Sequence, residues 1–282
     1  MTGGFPGTTA DRTDADYVVV GAPLDASTTF QPGTRFGPDR IRRFAATYDD
    51  YDRRTDARFS DRDVHDAGDV HAWDDAVGYL DHLRGELAAV TLEDAVPLTL
   101  GGEHTVSAAG VRATDPDVFV AVDAHLDLRA DYDGNPWSHA CATRRILDGD
   151  PADASLAADA TADRAVILGA RTGSPAEYDR AAADDVTVVA PEAVADWEPD
   201  FAGEDVYLSV DIDGADPAHA PGTGTMEPFG LGPREMRDAV RAVAPQAVGF
   251  DVVEVNDRDD GQAAALAGKL LRAFVYEHGA NA

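Results

Sequence analysis

Residues 118–127 read VFVAVDAHLD, and this segment decides the fold. Five consecutive apolar residues are followed directly by Asp123, His125 and Asp127. A short, continuous apolar run is typical of a strand buried on both faces of a parallel sheet. Ligands bind at the carboxyl ends of such strands, so the polar residues that follow the run mark a candidate site.

Similar apolar runs recur along the chain with amphipathic segments between them. We predict strands at residues 17–23, 96–100, 118–122, 165–168, 186–190, 206–210 and 247–253, with a weaker strand at 64–70. Helices are predicted at residues 40–48, 74–91, 139–147, 233–243 and 262–277. Alternating strands and helices predict an α/β fold, a three-layer α/β/α sandwich around a mostly parallel sheet of about eight strands.

The chain has 282 residues and no linker-like tract in its interior, which predicts one domain over residues 17–282. Residues 1–16 are polar, and we expect a flexible N-terminal arm there. The Ala/Asp-rich residues 148–164 are expected to form a surface helix or loop.

The charge balance limits the partners and the environment. Asp and Glu number 53 against 23 Lys and Arg, a formal net charge of −30. Such a surface repels nucleic acid and anionic membranes, which argues against both as partners. Self-repulsion is tolerable in concentrated salt, where the Debye length shrinks to ~3 Å at 1 M, so the composition favours a halophilic, archaeal source. The absence of a signal peptide or membrane span, and the single Cys141, predict a soluble, cytoplasmic protein.

Two further strand ends carry polar residues of the same kind. Residues 96–100 lead through two glycines to His104, and residues 206–210 lead to Asp211 and Asp213. Together the three strand ends supply four carboxylates and two imidazoles: His104, Asp123, His125, Asp127, Asp211 and Asp213. Six ligands are too many for one ion that must also leave room for a substrate, but they suit two ions that share carboxylates.

The chemistry of these ligands predicts the metal and its use. A mixed oxygen and nitrogen set without thiolate favours Mn²⁺, with other divalent ions as alternatives, over a structural zinc site. Two ions ~3.5–4 Å apart lower the pKa of a shared water and direct it at an electrophilic carbon. The sequence therefore predicts a two-metal hydrolase with a small-molecule substrate.

Three motifs in this chain resemble the signatures of the ureohydrolase family, which includes arginase and agmatinase. They are GGEHT at 101–105, DAHLD at 123–127 and SVDID at 209–213, supported by residues 33–38, 216–217, 220–225 and 254–256. The resemblance implies an arginase-like fold and assembly as a homotrimer or homohexamer. It also implies that Asp123 and Asp211 bridge two ions, with His104 and Asp127 completing one site and His125 and Asp213 the other.

The resemblance implies roles for three catalytic residues. Asp127 would also accept a hydrogen bond from the attacking hydroxide. Glu254 matches the glutamate that binds the substrate guanidinium, a role that suits a carboxylate because it pairs bidentately with a planar guanidinium. His139 matches the proton-shuttling histidine, and it is also a candidate substrate contact.

The loops around the site favour agmatine, which would be hydrolysed to putrescine and urea in polyamine biosynthesis. Residues 131–139 lack the Asn/Ser-rich run with which arginases bind an amino-acid carboxylate. Thr172 and Ser174 stand where arginases place carboxylates for the α-amine, and neither can pair with an ammonium that way. Arginase, guanidinobutyrase, aminopropylagmatine ureohydrolase and formimidoylglutamase remain alternatives, as do a single-zinc deacetylase and a metal-stabilised regulatory paralogue.

The remaining positions of interest have either no assigned function or a structural role. Leu126 departs from the family pattern and should point away from the ligands, whereas residues 226–229 depart from it where the pocket wall is expected. Arg35 fits a substrate contact, an interface or a structural ion pair equally well. Cys141 is interpreted as a small buried hydrophobe. The remaining histidines are interpreted as structural: His65, His71, His82, His219 and His278.

Overall fold

The computed structural model describes residues 3–149 and 162–280. The predicted surface segment 148–164 therefore lies mostly outside the described residues. The strands are β1 (Tyr17–Ala22), β2 (Tyr51–Asp52), β3 (Ala57–Arg58), β4 (Val64–Asp69), β5 (Val96–Gly101), β6 (Val118–Val122), β7 (Arg164–Leu168), β8 (Val186–Val189), β9 (Val206–Asp211) and β10 (Ala247–Val253). The helices are α1 (Gly37–Ala45), α2 (Ala76–Leu92), α3 (Val106–Thr114), α4 (Ala142–Asp148), α5 (Pro175–Ala181), α6 (Pro191–Val194), α7 (Pro233–Val243) and α8 (Gln262–His278).

One parallel sheet organises the described chain and confirms the predicted α/β sandwich. Its eight strands run in the order β4-β1-β5-β10-β9-β6-β7-β8, while β2 and β3 form a separate antiparallel pair. All neighbouring strands of the large sheet are parallel. The carboxyl ends of the four central strands, β5, β10, β9 and β6, consequently meet at one edge.

Helices cover both faces of this sheet, and each face has its own apolar core. On one face Ile41 of α1, Val240 of α7 and Leu271 of α8 pack against the strands. On the other face Leu83 of α2 and Val111 of α3 do the same. Burial on both faces explains why the central strands are apolar without alternation. No described helix is long and apolar enough to cross a membrane.

The N-terminal segment is packed more closely than a loose arm would be. Phe5 is 1% exposed and lies against Phe59, with ring centroids 5.7 Å apart. The amide of Phe5 donates to the Asp66 carboxylate, and the amide of Ala10 donates to the carbonyl of Val64 at 3.2 Å. Residues 5–10 thus cover the outer side of β4, the strand at one edge of the sheet.

The helices differ from the prediction at several places, and the short helices α5 and α6 were not predicted at all. Helix α1 begins at Gly37 rather than at residue 40, because Pro38 is suited to its first turn. Helix α3 was not predicted because its Ser, Ala and Gly residues give a weak amphipathic pattern, although six of its nine residues are buried. The predicted helix 139–147 is divided into a 3₁₀ turn at His139–Cys141 and α4.

Candidate metal centre

Four neighbouring strands bring the predicted site residues to one point. His104 follows β5, Glu254 follows β10, and Asp213 follows β9, which itself ends at Asp211. Asp123, His125 and Asp127 follow β6. Because β10 lies between β5 and β9, Glu254 is placed among the other residues although it is distant from all of them in sequence.

Five of the six predicted ligands form two compact groups that share Asp123, whereas Asp211 belongs to neither group. His104, Asp123 and Asp127 form one group, and Asp123, His125 and Asp213 form the other, each with a geometry that could hold a metal ion. In the second group His125 Nδ1 lies 3.0 Å from Asp213 Oδ2 and 3.7 Å from Asp123 Oδ1. Two adjacent cations need a bridging ligand, and a carboxylate common to both groups can serve as one.

His104 has more carboxylate neighbours than one proton can satisfy. Its Nδ1 lies 2.9 Å from Asp127 Oδ2, 3.2 Å from Asp123 Oδ2 and 3.5 Å from Asp211 Oδ2. A ring N–H donates one hydrogen bond, so it cannot pair with three carboxylates at once. All four side chains are buried. Buried charges of one sign must be paired or must coordinate a metal, so this donor set fits a divalent cation.

The pKa shifts of the site residues reflect the same excess of buried carboxylates. Burial and the neighbouring Asp213 and Asp123 raise the pKa of Asp211 well above its usual range. Burial and the charge of Asp123 raise the pKa of Asp127 to about 6. Burial opposes the charge on His125, but Asp213 and Asp123 outweigh it and raise its pKa to about 12. Cations between these carboxylates would remove the repulsion that produces the first two shifts.

Two site residues have a backbone conformation that is unusual outside glycine. Asp127 has a φ of 51° and Glu254 has a φ of 62°, both in the left-handed region. Such strain persists only where the surrounding structure enforces it, and it clusters at functional sites. Here it turns both carboxylates toward the cavity directly after their strand or loop.

Glu254 lies at the centre of a small hydrogen-bond cluster. Its Oε1 accepts from the amide of His104 at 2.9 Å and lies 3.0 Å from Nδ1 of His139. Nε2 of His139 in turn lies 3.0 Å from the hydroxyl of Thr29. Burial opposes the charge on His139, but Glu254 outweighs it and raises the pKa of His139 to about 9. Glu254 and His139 therefore form a pair beside the candidate metal ligands.

Glu103 holds the loop that positions His139, a role that the sequence did not indicate. Its buried carboxylate accepts from the amides of Ala26 and Ser27, both at 2.7 Å, and from the hydroxyl of Thr105 at 2.9 Å. The hydroxyl of Ser27 then accepts from the amide of His139 at 2.8 Å. A glutamate directly before a ligand, in a strand-end motif, is the only sequence signal for this role.

A buried polar network also lies behind His104. Nε2 of His104 is 3.2 Å from the hydroxyl of Ser209. The same hydroxyl lies 3.3 Å from that of Ser107. Asp251 is fully buried and accepts from the hydroxyl of Tyr207 at 2.9 Å. Burial raises the pKa of Asp251, and the nearby hydroxyls of Ser209 and Ser107 oppose that shift. Ser209 is thus a neighbour of both a candidate ligand and a buried carboxylate, whose Oδ1 has no hydrogen-bond partner among the described residues.

Two glycines make room for Tyr207 in this network. A Cβ atom at Gly110 would come within 2.0 Å of the Tyr207 hydroxyl, and one at Gly249 within 2.7 Å of its ring. Neither position tolerates a side chain while the ring keeps its place. The glycines therefore set the position from which Tyr207 reaches Asp251.

The site opens into a cavity of about 230 Å³. Its walls include Thr172, Tyr132, Arg129 and Glu227, in addition to the site residues. Oε1 of Glu227 lies 3.9 Å from Nε2 of His125, and one third of the Glu227 side chain is exposed. Glu227 belongs to the segment 226–229, which thus contributes to the pocket wall, as predicted.

Other positions singled out in the sequence lie away from the cavity. Arg35 does not line it, and its Nε lies 3.0 Å from the carboxylate of Asp25. Leu126 is buried in an apolar cluster with Ile167 and points away from the ligands. Cys141 is fully buried, and burial raises the pKa of its thiol to about 12, which suits a small hydrophobe rather than a nucleophile.

The sequence profile of the arginase family matches residues 15–276, nearly the whole described chain. The chain belongs to the arginase family. Members of this family are binuclear metal hydrolases, and the chain is an agmatinase-like ureohydrolase. The prediction of a ureohydrolase is thereby confirmed, and the regulatory alternative without activity is not supported.

Several arginase-family relatives match over most of their length. Agmatinase of Pyrococcus horikoshii is 34% identical over 93% of this chain and 92% of its own. N(1)-aminopropylagmatine ureohydrolase of Thermococcus kodakarensis is also 34% identical, over 91% of this chain and 88% of its own. The crystal structure of agmatine ureohydrolase of Thermoplasma volcanium superposes with a TM-score of 0.86 at 30% identity, covering 98% of this chain and 94% of that one.

Proposed function

We propose that this protein hydrolyses agmatine to putrescine and urea with two Mn²⁺ ions per subunit. His104, Asp123, Asp127 and Asp211 would hold one ion, and Asp123, His125, Asp211 and Asp213 the other. The three carboxylates around His104 Nδ1 support this assignment, because they require a cation. When bound, the ions supply an activated water at neutral pH. Oxygen-rich ligands without thiolate favour Mn²⁺ among the common divalent ions.

The observation that carries the guanidinium specificity is the position of Glu254. Its carboxylate lines the cavity beside both candidate metal groups, and its second contact is the imidazole of His139. A guanidinium pairs bidentately with a carboxylate, which would fix its central carbon over the metals. His139, within reach of the same carboxylate, would donate a proton to the departing amine.

The part of the cavity wall that Arg129 and Glu227 form favours an amine over a carboxylate at the other end of the substrate. Arg129 is the cation that lines this wall, but its guanidinium is paired with Glu177 at 3.2 Å. Among the described residues, the ring of His125 is the one potential cation within salt-bridge distance of Glu227, at 3.9 Å. The free charge of the described wall is therefore negative, which complements the ammonium of agmatine and opposes the carboxylate of guanidinobutyrate.

A urea-release assay tests the proposal. The protein, loaded with Mn²⁺ in concentrated KCl, would be assayed with agmatine, arginine, 4-guanidinobutyrate and N(1)-aminopropylagmatine at equal concentrations. We expect the highest kcat/KM for agmatine and at least ~10-fold less for the two carboxylate-bearing compounds. No urea from agmatine would exclude this function, and metal analysis of the same sample would show whether two ions per subunit were present.

N(1)-aminopropylagmatine is the second candidate substrate, since a ureohydrolase named for it is as similar as the agmatinase relatives. Its aminopropyl extension adds a second ammonium at the distal end. The acidic wall suits this extension too, so the ratio of the two kcat/KM values decides between them.

A further inference from the structure

A second cavity, larger than that of the metal centre, lies on the outer side of two helices. Its volume is about 480 Å³, and it is enclosed by α7, α8 and residues 49–52. It shares no lining residue with the metal centre. We call it the basic cavity, because five cationic side chains line it: Arg234, Arg237, Arg241, Lys269 and Arg272.

The basic cavity is exceptional in this chain. The whole sequence contains 23 Lys and Arg against 53 Asp and Glu, and its only lysine, Lys269, is among the five. Among the described residues, two carboxylates, Asp49 and Asp52, line the cavity with them, and a third, Asp238, is paired with Arg237. In a chain that carries acids almost everywhere, a concentration of cations with few acidic partners creates a local field of the opposite sign.

The cations lie in register on adjacent helices. Arg234, Arg237 and Arg241 are three and four residues apart, so they project from one face of α7. Lys269 and Arg272 are three residues apart on α8. Like charges at these spacings repel one another, which a helix tolerates best when an anion lies between them.

Two of the five cations already have partners, since Arg237 pairs with Asp238 at 2.7 Å and Arg272 donates to the carbonyl of Asp50 at 3.1 Å. Arg241 and Lys269 have binding capacity left. Nε of Arg241 is buried and has no hydrogen-bond partner among the described residues. Its nearest carboxylate contact is Asp238, at 3.8 Å from Nη1. Lys269 lies over the ring of Tyr48 at 4.0 Å, without a carboxylate at salt-bridge distance in the described chain. Burial and nearby arginines lower the pKa of both Arg241 and Lys269.

The rest of the lining determines what kind of anion fits. Ala265, Leu266, Leu270 and Ala273 give the cavity an apolar floor from α8. Guanidinium groups bind carboxylate and phosphate oxygens through paired hydrogen bonds. The volume matches that of typical small-molecule pockets. We propose that the basic cavity binds an organic oxyanion, a phosphate monoester or a dicarboxylate with an apolar part, at a site separate from the metal centre.

Calorimetric titration of the metal-loaded protein tests this proposal. Phenyl phosphate is the first probe and glutarate the second, each at one fixed KCl concentration. We expect saturable binding at one site per chain for at least one probe. Binding of phenyl phosphate alone assigns the cavity to phosphate monoesters, and binding of both assigns it to organic oxyanions in general.

Variants locate the binding. The pair Arg241→Gln and Lys269→Gln, made together, should raise the Kd at least ~10-fold, because two of the converging charges are lost. The matched control is Arg43→Gln with Arg84→Gln, which removes the same charge from two helices outside the cavity and should leave the Kd within about twofold. Equal weakening in both pairs would show a general charge effect and would overturn the proposal.

Two further results would overturn it. The first is no saturable binding of either probe to the wild-type protein at concentrations up to those that saturate ordinary small-molecule sites. The second is an unchanged Kd together with a changed sedimentation coefficient for the Arg241/Lys269 pair, which would make the cavity a contact between subunits. Because the titration does not depend on turnover, its failure and the failure of the agmatinase proposal are distinguishable.

Discussion

Nδ1 of His139 lies 3.0 Å from Oε1 of Glu254, and this contact joins the proposed proton carrier to the proposed guanidinium ligand. The two residues come from different parts of the chain, since Glu254 follows β10 and His139 opens a 3₁₀ turn. Their side chains are buried, so the interaction is little screened by water. Substrate binding at Glu254 would therefore directly change the electrostatic interaction that His139 makes.

Replacement Glu254→Gln keeps the shape of the side chain and removes its charge. We expect kcat/KM for agmatine to fall on the order of 10²-fold, because a charge-assisted pair with the guanidinium is lost. Metal content should remain near two ions per subunit. Steady-state kinetics with parallel metal analysis measures both, and unchanged kcat/KM would remove Glu254 from substrate binding.

Asp127→Asn tests the metal centre itself. The amide cannot supply the negative charge that Asp127 brings within 2.9 Å of His104. Activity should fall by 10²-fold or more, with weaker binding of one of the two ions, as ligand loss affects both affinity and water activation. The conservative exchange of the exposed Asp131→Asn serves as control. Full activity in Asp127→Asn would contradict the two-metal assignment.

Glu227→Gln examines the distal end of the substrate. Loss of the free wall charge should raise KM for agmatine about 10-fold with a smaller change in kcat, since Glu227 would contact the substrate away from the reacting carbon. The kcat/KM for guanidinobutyrate should rise relative to that for agmatine. If the ratio of the two kcat/KM values stays the same, Glu227 does not contact the substrate amine.

Asp251→Asn probes the network behind His104. Partners that orient a metal-binding histidine typically alter metal affinity 10- to 100-fold, so we expect a loss of about 10-fold in Mn²⁺ affinity. Tyr207→Phe removes the hydroxyl on the far side of Asp251 and should affect metal affinity less. Competition with a chelator gives the affinity, and denaturation of the metal-free protein shows separately how much the network contributes to folding.

His139 predicts how the stability of the metal-free protein changes with pH. Glu254 outweighs the effect of burial and raises the pKa of His139 to about 9, from an ordinary value of 6.5. The charged imidazole therefore stabilises the fold fully below pH 6.5, and this contribution disappears as the pH rises through 9. It amounts to on the order of 3 kcal/mol. Urea denaturation at constant KCl should show this loss in the wild type, and a smaller slope in His139→Asn.

The sequence predicted the sheet and the six candidate ligands because both depend on local patterns. Continuous apolar runs indicate strands that are buried on both faces. The residues after each run are the side chains that lie at the carboxyl edge of the sheet. Glu254 needed the family resemblance, since one glutamate after a strand has no distinctive chemistry. The central position of β10, which brings it to the site, is a property of the strand order.

The residues that sequence reasoning missed act through distant contacts. Asp251 lies inside a predicted strand, where its carboxylate gives no sign of Ser209 or Tyr207 as partners. Arg129 becomes a neutralised cation only because Glu177 in α5 reaches it. The cations of α7 and α8 look like ordinary solvated faces until the two helices pack together. None of these relations has a fixed sequence spacing.

The packed N-terminal segment has a practical consequence for handling the protein. Phe5 and Ala10 cover the side of β4, which would otherwise offer unpaired backbone groups to the strands of other molecules. A chain shortened to begin at residue 17 would expose that edge together with the apolar surface under Phe5. Such a protein should precipitate by strand-to-strand association even with its metal site intact, so a purification tag belongs at the C-terminus.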